Sequence, residues 1–246
     1  MSRIRKSGRL LSAVLVGGLG SAAGSSAQAS VTFQNTGTLS GWTANNARGS
    51  AKISQVSSPT YKGSTALACE VNWVGAGTAN HAEQMKYNAQ SVGQDRYYGQ
   101  VIRLPANWAF IDKNATFQQF SPEDPSGPWT LNWIQKHDIR IRIQGTHHVV
   151  GSINAGVWVR VVARLKMAAS GGAAEYWTNG TRTLSRTNIN MAPPKGSRTI
   201  RWSVGVYATH WRNATQLQPG EPAKKLIYHD HMRIATTYAE AEPANW

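Results

Sequence analysis

One cysteine, twelve acidic side chains and four phenylalanines are all that 246 residues supply of those types. Cys69 has no partner for an internal disulfide, and no Cys/His spacing matches a structural zinc site. The fold must therefore hold together by burial, which a chain of this length can provide. Only 15% of the residues are charged and 41% are apolar, a globular composition and not a disordered one. No long amphipathic run is present, and Gly, Thr, Ser, Asn and Trp outweigh the helix-favouring residues, which argues against a helical bundle. The sparse acids also show no Glu-x-Asp-x-x-Glu strand, so the paired carboxylates of a glycoside hydrolase are missing from the sequence pattern.

Against those acids stand 26 Lys and Arg, for a formal net charge of +14. Arg3, Arg5, Lys6 and Arg9 precede an apolar stretch from Leu10 to Leu19, and small residues follow it to Ala27-Gln28-Ala29. This is the layout of a secretory signal, with an apolar run short of the roughly 20 residues that span a bilayer. Residues 1–29 are read as that signal, and 30–246 as one secreted, extracellular domain of charge +10, the four bases having left with the signal. Such a domain attracts polyanions. Its bases are scattered, without a basic tail or an aromatic RNA-binding signature. The expected partner is therefore an acidic polysaccharide, with neither nucleic acid nor membrane as an alternative.

Short alternating segments separated by Gly, Pro, Asn or Ser predict strands at 51–56, 66–73, 82–87, 97–104, 116–120, 139–144, 157–167, 174–178, 200–209 and 226–234. An all-β fold, an antiparallel two-sheet jelly roll, accommodates this number of strands. Ile139, Ile141 and Ile143 alternate with Arg140 and Arg142; Val159, Val161, Ala163 and Leu165 alternate with Arg160, Arg164 and Lys166. If those two strands are neighbours, their bases form the floor of a concave basic groove. Cys69 is expected to pack with Leu67 and Val71.

Four segments hold groups able to do chemistry. In 201–210 the apolar face is Trp202, Val204, Val206 and Ala208, which sends Tyr207 to the polar face with Arg201; His210 joins them only if the strand ends or bulges. His81 and Glu83 share one face of another strand. Gln118 and Gln119 lie between two phenylalanines, and one of them must face polar surroundings or be satisfied internally. His229 and His231 flank Asp230, an arrangement that could hold zinc or, with backbone carbonyls, a structural calcium.

In this order the segments resemble the jelly-roll polysaccharide lyases, and among them the fungal endo-β-1,4-glucuronan lyase family, polysaccharide lyase family 20. His81-Ala82-Glu83 stands where related alginate lyases have Arg-x-Glu-x-Arg, Gln118-Gln119 where they have Gln-x-His, and Val204-Gly205-Val206-Tyr207 resembles their Ala-Gly-Val-Tyr strand. The resemblance implies a catalytic Tyr207, a carboxylate-binding Gln118 or Gln119, His81 at the cleft, and substrate contacts from Glu83, Arg140, Arg142, Arg160, Arg201 and His210. It further implies a monomer without organic cofactor, with Asp230 helping to hold a structural calcium. His81 and Met85 replace both arginines of the alginate-lyase motif, which lowers alginate as a substrate.

The implied reaction is β-elimination in a 4-linked polyuronate, with glucuronan first. It removes the hydrogen on carbon 5, stabilises the carboxylate dianion and protonates the oxygen leaving carbon 4. Tyr207 could serve both proton transfers, or His81 could take the proton that Tyr207 replaces. The competing function is a non-catalytic jelly-roll lectin for acidic polysaccharides, which would share the fold and groove but need no proton-transfer group.

Overall fold

A computed structural model describes residues 30–75, 80–123, 129–193 and 196–246. The signal assigned to 1–29 lies outside the described residues. The strands are β1 (Val31–Asn35), β2 (Ala44–Ala47), β3 (Lys52–Val56), β4 (Ala66–Asn72), β5 (His81–Ser91), β6 (Asp95–Arg103), β7 (Ala115–Pro122), β8 (Thr130–Gln135), β9 (Asp138–Ile143), β10 (Thr146–Ser152), β11 (Trp158–Lys166), β12 (Gly172–Thr178), β13 (Thr181–Ile189), β14 (Thr199–Tyr207) and β15 (Lys224–Ala235). They form two antiparallel sheets. One, sheet A, runs β13-β12-β11-β6-β15-β4-β3 with β1 added on β15; the other, sheet B, runs β10-β9-β8-β7-β14-β5-β2.

The interior takes one apolar face from each sheet. Sheet B contributes Phe120, Ile139, Ile141, Trp202, Val204 and Val206, and sheet A contributes Leu67, Cys69, Val159, Val161, Leu165 and Ile227. Period-two alternation places these residues inward, and Trp202 anchors the layer against Phe33, Trp42 and Tyr98. Cys69 is fully buried, as expected, and desolvation pushes its thiol far above the ordinary range. The two-sheet all-β architecture matches the sequence expectation.

The outer faces of the sheets differ. Over sheet A, the four-residue helix α1 (Tyr238–Ala241) covers Val162 and Ala235, and Tyr238 packs on Trp177. Over sheet B, β5, β14, β7, β8 and β9 present polar side chains in adjoining rows. One row is set by the pairs Met85–Ser203, Ser203–Gln119, Gln119–Leu131 and Leu131–Arg142; another by His81–Tyr207, Tyr207–Thr116, Thr116–Trp133 and Trp133–Arg140.

Candidate active site

Tyr207 and His81 meet because β14 and β5 pair in register at their ends. Their rings stack with centroids 3.7 Å apart and planes 20° from parallel. Behind His81, the Nδ1 lies 3.0 Å from Oε2 of Glu83, and Glu83 Oε1 accepts a hydrogen bond from the Gln119 amide. A carboxylate at Nδ1 accepts the hydrogen there and leaves Nε2 as the lone-pair nitrogen. Glu83 is 3% exposed, so both of its oxygens are committed to orienting neighbours. The substrate-contact role expected for Glu83 is thereby corrected: a second carboxylate would meet like charge where the partners are already in place.

Burial pushes the Tyr207 phenol above its ordinary value; the Arg212 guanidinium opposes this by charge and hydrogen bond, and Glu83 adds to the rise. Tyr207 therefore carries its proton at neutral pH. Arg212 was not among the residues picked from sequence. It follows β14 in the short 3-10 turn Thr209–Arg212, and a base five residues after the tyrosine was its only signal.

The two glutamines separate. Gln119 is buried beside Glu83 on the outer side of sheet B, whereas Gln118 is fully buried on the inner side, opposite Val204 and Asn132. A bulge explains it: β7 gains one residue against β8 between Thr116 and Gln118, so Phe117 and Gln118 both turn inward. Strict alternation would have left Phe117 outside.

The expected basic floor also divides. β9 belongs to sheet B but β11 to sheet A, so Arg160, Arg164 and Lys166 lie across the sandwich from Tyr207. Arg160 bonds Glu242 at 2.6 Å, which corrects its assignment to the cleft. Arg140 and Arg142 remain on the Tyr207 face, three strands away, about 14 Å; Arg140 is paired with Asp138 at 2.7 Å. Arg201 is on the same face, six residues along β14, about 20 Å from Tyr207. His210 is corrected too. Its Nδ1 lies 3.2 Å from Asn114 O and its Nε2 2.5 Å from Glu221, which also holds Lys225 at 3.1 Å and the Trp211 indole at 2.8 Å. With both nitrogens engaged, His210 buttresses the turn that carries Arg212.

Asp230 does not fit a calcium cage. Its carboxylate accepts the Tyr61 and His231 backbone N–H groups at 2.8 and 2.7 Å and faces His231 Nδ1 at 2.9 Å. Converging donors suit an anion and repel a cation. Among the described residues no group of three His, Cys, Asp or Glu could hold a metal. The zinc alternative fails on the same ground, since His229 and His231 have separate partners.

A family model described as polysaccharide lyase matches residues 34–233. Endo-β-1,4-glucuronan lyase from the fungus Trichoderma reesei superposes with a TM-score of 0.78 at 23% identity, covering 88% of this chain and 100% of that one. A marine PL-14 alginate lyase from Aplysia kurodai gives 0.59 at 10% identity, with 85% and 100% covered, and an alginate lyase from Chlorella virus 0.54 at 10%, with 80% and 93% covered. No curated protein sequence matches the chain. The structural likenesses establish the shared architecture, and the span of the family match settles the rest: the chain belongs to the polysaccharide lyase family.

Proposed function

We propose that the protein is a secreted lyase that cleaves a 4-linked polyuronate, β-1,4-glucuronan first, within the chain by β-elimination. The stacked His81–Tyr207 pair carries this reading, because it sets a lone-pair nitrogen beside a protonated phenol on the outer side of sheet B. In a β-linked glucuronate the hydrogen on carbon 5 and the oxygen on carbon 4 lie on the same side of the ring. His81 Nε2 takes that hydrogen, and the electron pair moves into the carboxylate as the dianion. The pair then forms the double bond between carbons 4 and 5 as the bond to O4 breaks. Tyr207 gives O4 its proton, and Arg212 stabilises the phenolate left behind. The proton balance closes when His81 passes its proton back to the phenolate.

The Gln119 amide, bonded to Glu83 behind His81, keeps a second N–H for the developing carboxylate charge, an effect that supplies about 3 kcal/mol per well-placed donor. Arg142, Arg140 and Arg201, at about 14–20 Å, then hold uronates farther along the chain and not at the bond that breaks. The twin requirements of Arg3, Arg5, Lys6 and Arg9 before Leu10–Leu19 support export. The test is the ultraviolet absorbance of the unsaturated product during incubation with glucuronan, alginate, pectate and a neutral glucan. A rise on glucuronan that is lost in Tyr207→Phe is the expected result. No rise on any polyuronate would overturn the assignment, and retention on the polymer without product would leave a binding protein.

A further inference from the structure

Gly205 lies two residues before Tyr207, at the one place in β14 where the ladder with β7 slips. Between Val204 and Tyr207 β14 carries an extra residue relative to β7, while its ladder with β5 stays in register. Gly205 has φ +154°, and a Cβ there would stand 2.0 Å from Ala82 O and 2.7 Å from the Glu83 Cα. The backbone can approach Glu83 this closely only without a side chain. A bulge of this kind leaves a peptide group without its ladder partner.

That peptide group is caught from the other sheet. His229 of β15, fully buried, places Nε2 2.9 Å from Gly205 O and Nδ1 3.0 Å from the Gln100 side chain of β6. A carbonyl only accepts, so Nε2 carries the hydrogen. Burial lowers the ring to about 4, so it is neutral and Nδ1 is an acceptor. Gln100 is therefore assigned with its NH2 turned to Nδ1. Gln100, His229 and the Gly205 carbonyl thus form a chain of three groups from sheet A to the strand that bears Tyr207.

We propose that His229 is a positioning residue for the elimination, holding the Gly205 bulge so that the Tyr207 ring lies on His81. It touches neither substrate nor the reacting atoms. The inference rests on the proposed roles of Tyr207 and His81, but its central claim concerns geometry and can be read without turnover.

Two substitutions separate the clamp from mere packing. In His229→Gln the amide nitrogen falls near the former Nε2 and still donates to Gly205 O; in His229→Asn the shorter amide reaches only toward Gln100. Both are compared with the native chain for thermal midpoint, for kcat and KM on the polyuronate that it cleaves, and for the ultraviolet titration of Tyr207, identified by its absence in Tyr207→Phe. The expected pattern is a kcat within about threefold of native for Gln and at least tenfold lower for Asn. KM should stay unchanged in both, and the Tyr207 titration should shift in Asn alone. Equal kcat and an unshifted titration in a folded His229→Asn would overturn the proposal, as would equal losses in both variants. If the native protein cleaves no polyuronate, the proposed function fails while the titration still decides the clamp.

Discussion

The strands β9 and β11 read almost alike, with apolar residues alternating against arginines, yet the structure gives their arginines opposite employment. On sheet A, Arg164 is held by Asp95 at 2.7 Å and by Glu175 at 2.5 Å, Glu175 also takes Arg182, and Arg160 is tied to Glu242. These pairs lie beside the C-terminal segment that covers the sheet, with Tyr238 bonded to Glu242 at 2.7 Å. On sheet B, Glu83 lies in the Tyr207 cluster bonded to His81 and Gln119, and Asp138 pairs with Arg140 at 2.7 Å farther out on the same face. Arginine alternation therefore reports a polar strand face and nothing about its use. What distinguishes the two is how the acids are spent: on sheet A three arginines close on Asp95, Glu175 and Glu242, whereas on the Tyr207 face Asp138 takes Arg140 and Glu83 is committed to His81 and Gln119.

The contrast is tested hardest at the stacked His81–Tyr207 pair. Tyr207→Phe or His81→Ala should lower kcat on order of a thousandfold with oligosaccharide affinity retained, the scale of a lost proton-transfer group. Calorimetric binding alongside the absorbance assay checks this, and near-native turnover in either variant would detach that residue from the chemistry. Gly205→Ala should cost nearly as much and lower the thermal midpoint too, because the new Cβ meets the Ala82 carbonyl at 2.0 Å.

The arginines give the direct comparison. Arg164→Ala should destabilise by about 2 kcal/mol, about 4–8 °C in thermal midpoint for a domain of this size, with KM unchanged. Arg142→Ala should act on substrate instead, raising KM several-fold at low salt and less at high salt. Interchanged results would dissolve the distinction between the faces.

Two further effects depend on pH. His229 is neutral in the fold down to about 4 but binds a proton near 6.5 when unfolded, so its contribution is complete above that value. Stability is lost as pH falls between these values, by about 3 kcal/mol at the lower end. Denaturant midpoints of the native chain should therefore fall away from those of His229→Gln across this window. Arg212→Gln removes the cation that opposes the upward shift of Tyr207. The alkaline limb of the rate profile, where the phenol loses its proton, should move to higher pH, with kcat reduced a few-fold.

Strands that bury one face and expose the other could be read from the chain. Alternation identified β9, β11 and β14 and sent Trp202, Val204 and Val206 inward, as the structure has them. It also put His81, Glu83 and Tyr207 on polar faces, and so reached three residues that the structure brings together. β13 escaped because Thr181–Ile189 is exposed along most of its length and shows no apolar face, and β10 at the opposite edge is nearly as polar. The bulge that separates Gln118 from Gln119, and the crossing that sends Arg160 to the far sheet, depend on pairing partners distant in sequence. No local period encodes them. Asp230 misled for a related reason: the donors that surround it arrive from Tyr61 and from its own bent strand.

The lone thiol makes the sandwich its own unfolding gauge. Cys69 sits between Ile53 and Ile227 on neighbouring strands, without exposure and with its thiolate strongly disfavoured. A sulfhydryl reagent can label it only when sheet A opens, so labelling kinetics read the opening frequency of the scaffold directly. Because the chain has a single cysteine, that signal comes from one place, and recovery from denaturant needs no redox buffer.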